Sequence, residues 1–265
     1  MRILVTNDDG IWAPGICALA AALIETGHDL VVAAPDEERS GSSAALGVLN
    51  QDDFVDASLV DLPGVEGVPC HAVDGPPGLC VLAARLGGFG DPPDIIVSGV
   101  NPGPNTGRSV LHSGTVGAAL TAANFGARGL AVSIGVGEDF HWDTATEMAR
   151  RALEWVCDSP ERTVLNVNVP NLPLAEVLGV RWARLAPFGT VQTALQGTHE
   201  GRLQMAFSQT SADLPPDSDT ALLMEGYVTA STLTGIQAAE DTAAATFMDR
   251  PAAVHRMQMA NSQLS

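Results

Sequence analysis

The sequence predicts an α/β fold, with a doubly wound, mostly parallel sheet over residues 1–184 and a smaller irregular C-terminal extension over 185–265. Three observations point there. Short β-rich runs alternate with longer Ala/Leu-rich segments through the first half, as in repeated βαβ units. The strands are continuous apolar runs rather than alternating ones, which suits parallel strands covered on both faces. At 46% hydrophobic and 17% charged, the 265-residue chain also has ample apolar material for a large core.

Ile3-Leu4-Val5-Thr6 is the first expected strand, Pro14 to Gly27 the first helix, and Leu30 to Ala34 the second strand. The acidic stretch Gln51–Gly67 reads as a hairpin or a loop insertion. Alternation resumes with a helix over Leu79–Leu86, a strand over Ile95–Ser98, a helix over Thr115–Phe125 and a strand over Leu130–Ile134. A helix over Asp143–Cys157 and a strand over Val164–Val169 complete the core. After about Asn171 the pattern changes: Pro and polar residues rise through Leu185–Ser218, and strand-like pieces are isolated. A last helix is expected over Ala238–Asp249.

Composition removes several functions. A formal charge of -18 makes nucleic-acid polymers and anionic membranes poor partners. All 13 basic residues are Arg, so neither a Schiff-base lysine nor the lysine of a Walker loop is available. Cys17, Cys70, Cys80 and Cys157 form no CxxC pair and no zinc spacing, which fits reduced thiols in a cytoplasmic protein. Met1 leads straight into a strand pattern without signal-peptide regions. The longest strongly apolar helical stretch, Ile16–Ile24, is about half of the ~20 residues a membrane span needs.

In an open parallel sheet, ligands bind beyond the carboxyl ends of the strands. Three such ends carry hard oxygen donors: Asn7-Asp8-Asp9-Gly10, Pro35-Asp36-Glu37-Glu38-Arg39-Ser40-Gly41 and Gly99-Val100-Asn101-Pro102-Gly103-Pro104-Asn105. Two carboxylates, a hydroxyl and an amide oxygen suit Mg²⁺, Mn²⁺ or Ca²⁺. At an effective dielectric of ~20, each like-charge pair ~5 Å apart costs about 3 kcal/mol, so phosphate and metal binding should be coupled. For the Asp-Asp pair alone, turn and capping chemistry is the plainer reading. Ser40 and Asn101, arriving at the same edge in Gly-rich loops, favour the ligand.

His112-Ser113-Gly114-Thr115 precedes the apolar helix and offers first-turn amides and hydroxyls to an anion, or else simply caps the helix. No GxGxxG follows the first strand, which argues against a dinucleotide enzyme. His112 is a candidate general acid or a structural histidine. Arg39 either clamps a phosphate or pairs with Asp36 and Glu37. No nucleophile elbow surrounds Ser113, so acyl transfer is disfavoured.

These four motifs, with weaker matches in Leu165–Pro170 and Glu225–Val228, resemble the SurE (stationary-phase survival protein) family over most of the chain to about Leu233. The resemblance implies a Rossmann-like core and a metal-dependent phosphomonoesterase acting on nucleoside 5′- and 3′-monophosphates. It implies a C-terminal extension joining copies into a homodimer or homotetramer. It assigns the metal, Mn²⁺ or Mg²⁺, to Asp8, Asp9, Ser40 and Asn101. Gly41, Asn105, Ser113, Gly114 and Thr115 would face the phosphate, joined by Arg39 and His112 from the residue reading. Asp8, Asp9, Asn101 and Ser113 form the candidate catalytic group, with in-line attack by a metal-activated water and Asp8 as its orienting base.

Ala44, Gly47, Leu79 and Ser109 depart from the polar residues usual at those family positions. They motivate two alternatives: a low-activity or non-catalytic metal and nucleotide binder, and a phosphatase of a specialised metabolite.

Overall fold

A computed structural model describes residues 1–47, 49–50, 54–199, 201–209, 213–237 and 248. The helix expected over Ala238–Asp249 therefore lies outside the described residues, Met248 excepted. In chain order the elements begin with β1 (Arg2–Thr6), α1 (Pro14–Ile24), β2 (Asp29–Pro35), β3 (Ala57–Val60) and β4 (Cys70–Val73). There follow α2 (Pro77–Arg85), β5 (Ile95–Pro102), α3 (Gly114–Asn124), β6 (Arg128–Ile134), α4 (Trp142–Asp158) and β7 (Val164–Val169). The extension adds β8 (Val180–Trp182), β9 (Val191–His199), β10 (Arg202–Gln209), α5 (Asp219–Glu225) and β11 (Val228–Leu233). Contacts divide the chain into compact units Met1–Gly235 and Ile236–Ser265, and the elements from β1 to β11 all belong to the first.

Among the described residues the main sheet runs β3-β4-β2-β1-β5-β6-β7-β11-β8. The strands from β4 to β7 pair in parallel, while β3 on β4 and β11 on β7 are antiparallel. The chain winds outward from β1 in one direction through β2 and in the other through β5. The reversal leaves a crevice above the carboxyl ends of β1 and β5, where an open α/β sheet takes its ligands.

Side-chain alternation sorts the sheet into two layers. Ile3, Val5, Val32, Ile95 and Val97 pack toward α1 and α4, against Ile16, Leu19, Met148 and Leu153. Leu4, Val31, Ala33 and Ile96 face α2 and α3, against Cys80, Val81, Ala118 and Ala122. Burying each large aliphatic side chain contributes ~1.5–3 kcal/mol. An exposed pair such as Arg150–Glu25 contributes ~0–1 kcal/mol, so apolar packing dominates the fold.

The predicted core elements are all present, with shifts at their ends. The strand expected over Ile95–Ser98 continues to Pro102 as β5, through a register shift against β6 between Ser98 and Asn101. Gly99 occupies this irregularity at φ +134, a conformation L side chains rarely adopt, and a Cβ there would lie 2.2 Å from Val132 O. The described part of the acidic segment contributes one strand, β3, which pairs antiparallel with β4 just beyond the segment, so the hairpin it forms extends past Gly67.

Residues 185–218 are more regular than the sequence suggests. β9 and β10 form a separate antiparallel hairpin with an irregularity between Gln204 and Met205. Leu195, Leu203 and Met205 on it are exposed. The described side chains of this ribbon are exposed or half-buried, so they carry no inward-outward pattern, which is why its strands read as isolated pieces. β11 then returns to extend the main sheet beside β7.

Candidate active site

β1 releases the chain directly into the crevice. Asn7 Nδ2 donates to Gly10 O at 2.9 Å and closes the turn that directs Asp8 and Asp9 away from the sheet. The Arg39 backbone N–H donates to Asp8 O at 2.7 Å, and Ile11 N–H to Pro35 O at 2.7 Å. The β1 and β2 exits are thus tied together before any side chain is considered.

Asp8 is held by the start of α3. Its Oδ1 accepts from Thr115 Oγ1 at 2.6 Å and its Oδ2 from Gly114 N–H at 3.1 Å. The helix N-terminus adds a favourable partial charge to those donors. Burial nevertheless dominates and pushes the Asp8 carboxyl above its ordinary 3.8, the donors pulling the other way. Ser113 is the N-cap, its Oγ accepting from Val116 N–H at 3.1 Å. The cap reading of the Ser-Gly-Thr motif is the one seen for Ser113, while Gly114 N–H and Thr115 Oγ1 are engaged with the protein's own Asp8 carboxyl rather than with a ligand.

α3 approaches this closely because its entry lacks side chains. A Cβ at Gly114 would sit 2.7 Å from Asp8 Oδ2 and 2.6 Å from Ser42 Oγ, and one at Gly117 would sit 2.1 Å from Ser43 O. The Ser42–Ala45 loop is clasped from the other side by Gly78 of α2, whose Cβ would lie 2.5 Å from Ala45 O.

Asp9 is less deeply set, yet its carboxyl is pushed up to about 7, through burial first, then the charges of Asp8 and Glu38. Its Oδ2 is buried without a hydrogen-bond partner among the described residues. A buried carboxylate oxygen in this state beside a second carboxylate has the chemistry that a divalent cation would satisfy. Ser40 is exposed and its Oγ donates to Glu38 Oε1 at 2.9 Å, on the same side as Asp9. Arg39 turns away from this pair: Nη2 lies 3.0 Å from Glu37 Oε1 and 3.1 Å from Asp74 Oδ1. Its local pairing is the one seen, so clamping a phosphate would require it to exchange partners. Gly41 sits at φ +79 with open space where a Cβ would be.

From β5, Asn101 arrives at the crevice half-buried, its Nδ2 donating to Gly103 O at 2.5 Å. That leaves its amide oxygen for a cation. The donor set of Asp8, Asp9, Ser40 and Asn101 is all oxygen, and together with the partnerless Asp9 oxygen it fits a hard divalent cation. Asn105 is fixed on all sides: its Nδ2 donates to Ser133 Oγ at 2.8 Å and its N–H to Asn168 Oδ1 at 2.7 Å. Its carbonyl accepts from Asn166 Nδ2 at 2.9 Å and Asn168 Nδ2 at 3.0 Å. His112, at the end of a 3-10 turn over Gly107–His112, is exposed.

Four residues carry weight here that the sequence reading did not assign. Asn166 and Asn168 of β7 are buried, and their amides hold the Asn105 backbone. Two polar residues at alternate positions of an apolar strand were the available signal, since period two puts both on one face. Asp219, fully buried, accepts from Gly107 N–H at 2.8 Å and Ala186 N–H at 2.9 Å, linking the extension to the turn before Ser113. Ser42 Oγ is buried beside Asp8 without a partner among the described residues. Of the four departures, Ala44 and Gly47 are exposed, Leu79 is buried against Gly75, and Ser109 Oγ donates to Thr106 O at 2.6 Å.

Comparisons with known proteins converge on one family. The family model "Survival protein SurE" matches residues 3–188. A 5′-nucleotidase SurE from Carboxydothermus hydrogenoformans is 42% identical over 190 residues, 70% of each chain. A 5′/3′-nucleotidase SurE from Edwardsiella ictaluri is 37% identical over 241 residues, covering 88% of this chain and 89% of its own. The crystal structure of a SurE protein from Aquifex aeolicus matches with a TM-score of 0.77 at 25% identity, covering 94% of this chain and 100% of that one.

Proposed function

The chain belongs to the survival protein SurE family, and from that premise we propose that it is a phosphoric monoester hydrolase acting on nucleoside monophosphates with a divalent cation. The observation that carries the cation is the Asp8–Asp9 pair at the sheet's reversal point, both carboxyls raised by burial and one oxygen buried without a partner among the described residues. Two such charges side by side repel a phosphate dianion by several kcal/mol, which a cation between them would reverse. Its ligands would be Asp8, Asp9, Ser40 and Asn101, and Mn²⁺ or Mg²⁺ suits their chemistry. When bound, a divalent cation supplies charge for the phosphoryl oxygens and acidifies a water.

The protein's own groups do the rest. Gly114 N–H and Thr115 Oγ hold the Asp8 carboxylate in one orientation, from which it can align a water and take its proton. The α3 N-terminus presents its positive end to the reacting centre. Asn105, immobilised by Asn166, Asn168 and Ser133, presents a rigid edge against which a phosphoryl group is oriented.

We further propose that residues 185–265 join copies of the chain into a dimer or tetramer, the exposed Leu195, Leu203 and Met205 supplying apolar surface. The chain's four free cysteines suit a cytoplasmic protein. No described helix is long and apolar enough to cross a membrane.

Phosphate release from nucleoside monophosphates, sugar phosphates and p-nitrophenyl phosphate, with Mn²⁺, Mg²⁺ or EDTA, tests the activity. Turnover restricted to the metal-containing assays with nucleotides preferred is the expected result. Tight nucleotide binding with no turnover on any substrate would instead make the protein a binder.

A further inference from the structure

A cavity of about 360 Å³ opens beside the Asn105 loop. It lies above the carboxyl ends of β5, β6 and β7: Pro104, Val136 and Leu172 come from the segments after those strands, and Leu223, Met224 and Glu225 from the end of α5. Its size falls at the lower end of the ~300–1,000 Å³ typical of small-molecule pockets. Its wall is mostly apolar, as such pockets are.

The cavity is joined to the phosphate site by one peptide. Pro104 lines it and Asn105 is the next residue, so the two Cα atoms are about 3.8 Å apart. The four hydrogen bonds on Asn105 hold this stretch of the loop in place against β6 and β7. We infer that, on the phosphatase reading above, the nucleoside of the substrate occupies this cavity, its base against Val136, Leu172 and Met224 and its sugar hydroxyls donating to Glu225.

The polar groups of the lining support this assignment. Asn171 Oδ1 already accepts from His141 N–H at 2.9 Å and its Nδ2 donates to Asp139 O at 2.8 Å, so it builds the wall rather than reading a base. Thr190 and Glu225 add further polar groups to the lining, and a carboxylate accepts readily from a ribose diol. With no aromatic side chain in its described lining, the cavity distinguishes a nucleoside from solvent better than one base from another.

Val136 and Met224 are 62% and 63% exposed, so enlarging them leaves the core intact. The test compares Val136→Trp, Met224→Trp and Glu225→Gln with wild type. Each is assayed with Mn²⁺ on a nucleoside monophosphate, its 2′-deoxy counterpart and glycerol 2-phosphate, which has no nucleoside. Filling the cavity should raise KM for both nucleotides at least tenfold, change glycerol 2-phosphate hydrolysis less than twofold, and abolish competitive inhibition of that hydrolysis by the free nucleoside. Glu225→Gln should lower kcat/KM for the ribonucleotide several-fold and narrow its advantage over the deoxy form. Equal effects on all substrates, or none on nucleotides, would overturn the cavity assignment while leaving the phosphatase in place. No turnover by wild type on any of the three would remove the phosphatase reading and this inference with it.

Discussion

Replacing Gly114 with alanine isolates the packing that positions Asp8. The new Cβ would lie 2.7 Å from both Asp8 Cβ and Oδ2 and 2.6 Å from Ser42 Oγ, where ordinary contact begins at 3.4 Å. Ser42 can swing aside, but Asp8 Cβ is anchored to its backbone, so the carboxylate must shift by about 0.7 Å, the difference between those distances. That exceeds the ~0.5 Å within which a catalytic group must be held. A loss of ~10- to 100-fold in kcat/KM, about 1.4–2.7 kcal/mol of transition-state stabilisation, is expected. Alanine at the first position of α3 is otherwise the better helix former by up to ~1 kcal/mol, so the melting temperature should hold or fall only slightly. Steady-state kinetics on a nucleoside monophosphate and calorimetric Mn²⁺ titration read the effect, with Gly235→Ala, where a Cβ meets nothing within 4 Å, as the control. Wild-type turnover and metal affinity in Gly114→Ala would refute the claim that this contact sets the geometry of Asp8.

The same network of contacts fixes three further outcomes. Ser113→Ala removes the α3 cap and should destabilise the protein by ~1 kcal/mol, or ~2–4 °C in melting temperature at this size; an unchanged transition would mean the cap is dispensable. Asn168→Ala strips one acceptor and one donor from Asn105 and should raise KM for nucleotides more than it lowers thermal stability, as kinetics and melting together would show. Asp219→Asn leaves an N–H at Gly107 or Ala186 without an acceptor and should cost about 1–3 kcal/mol in chemical denaturation. Because burial raises the native Asp219 carboxyl above its unfolded value, wild type is favoured most at low pH and loses that advantage as pH rises through the native pKa. The gap between wild type and Asp219→Asn should therefore be wider at about pH 4 than at about pH 7, and a gap that widens with pH would contradict the assignment.

Legibility differed sharply between parts of the molecule. The core strands were readable because burial on both faces forces continuous apolar runs, and the helices between them because Ala and Leu recur without breakers. The crevice was readable for a topological reason: Asp8, Asp9 and Asn101 each lie at or just past a strand end, and the winding of the sheet brings those ends together. Partners fixed by tertiary packing could not be read. Nothing local says that Gly114 N–H and Thr115 Oγ bond to Asp8, 106 and 107 residues away in sequence. The same holds for Asp219, whose bond to Gly107 spans 112 residues. The β9–β10 ribbon escaped because none of its described side chains is buried to discipline the pattern, and the reach of β5 to Asn101 because it depends on an irregular pairing with β6.

The central claim, a cation held at Asp8 that turnover requires, is tested most directly by comparing Asp8→Asn with wild type. The readouts are Mn²⁺ binding by calorimetry, phosphate release from a nucleoside monophosphate, and thermal unfolding in EDTA. Wild type should turn over and EDTA should abolish that turnover, while the variant should lose at least about 100-fold in rate and bind Mn²⁺ more weakly. The variant should also melt no lower than wild type in EDTA, since it removes one of two crowded carboxylates. Turnover and Mn²⁺ affinity in Asp8→Asn equal to wild type would contradict the claim.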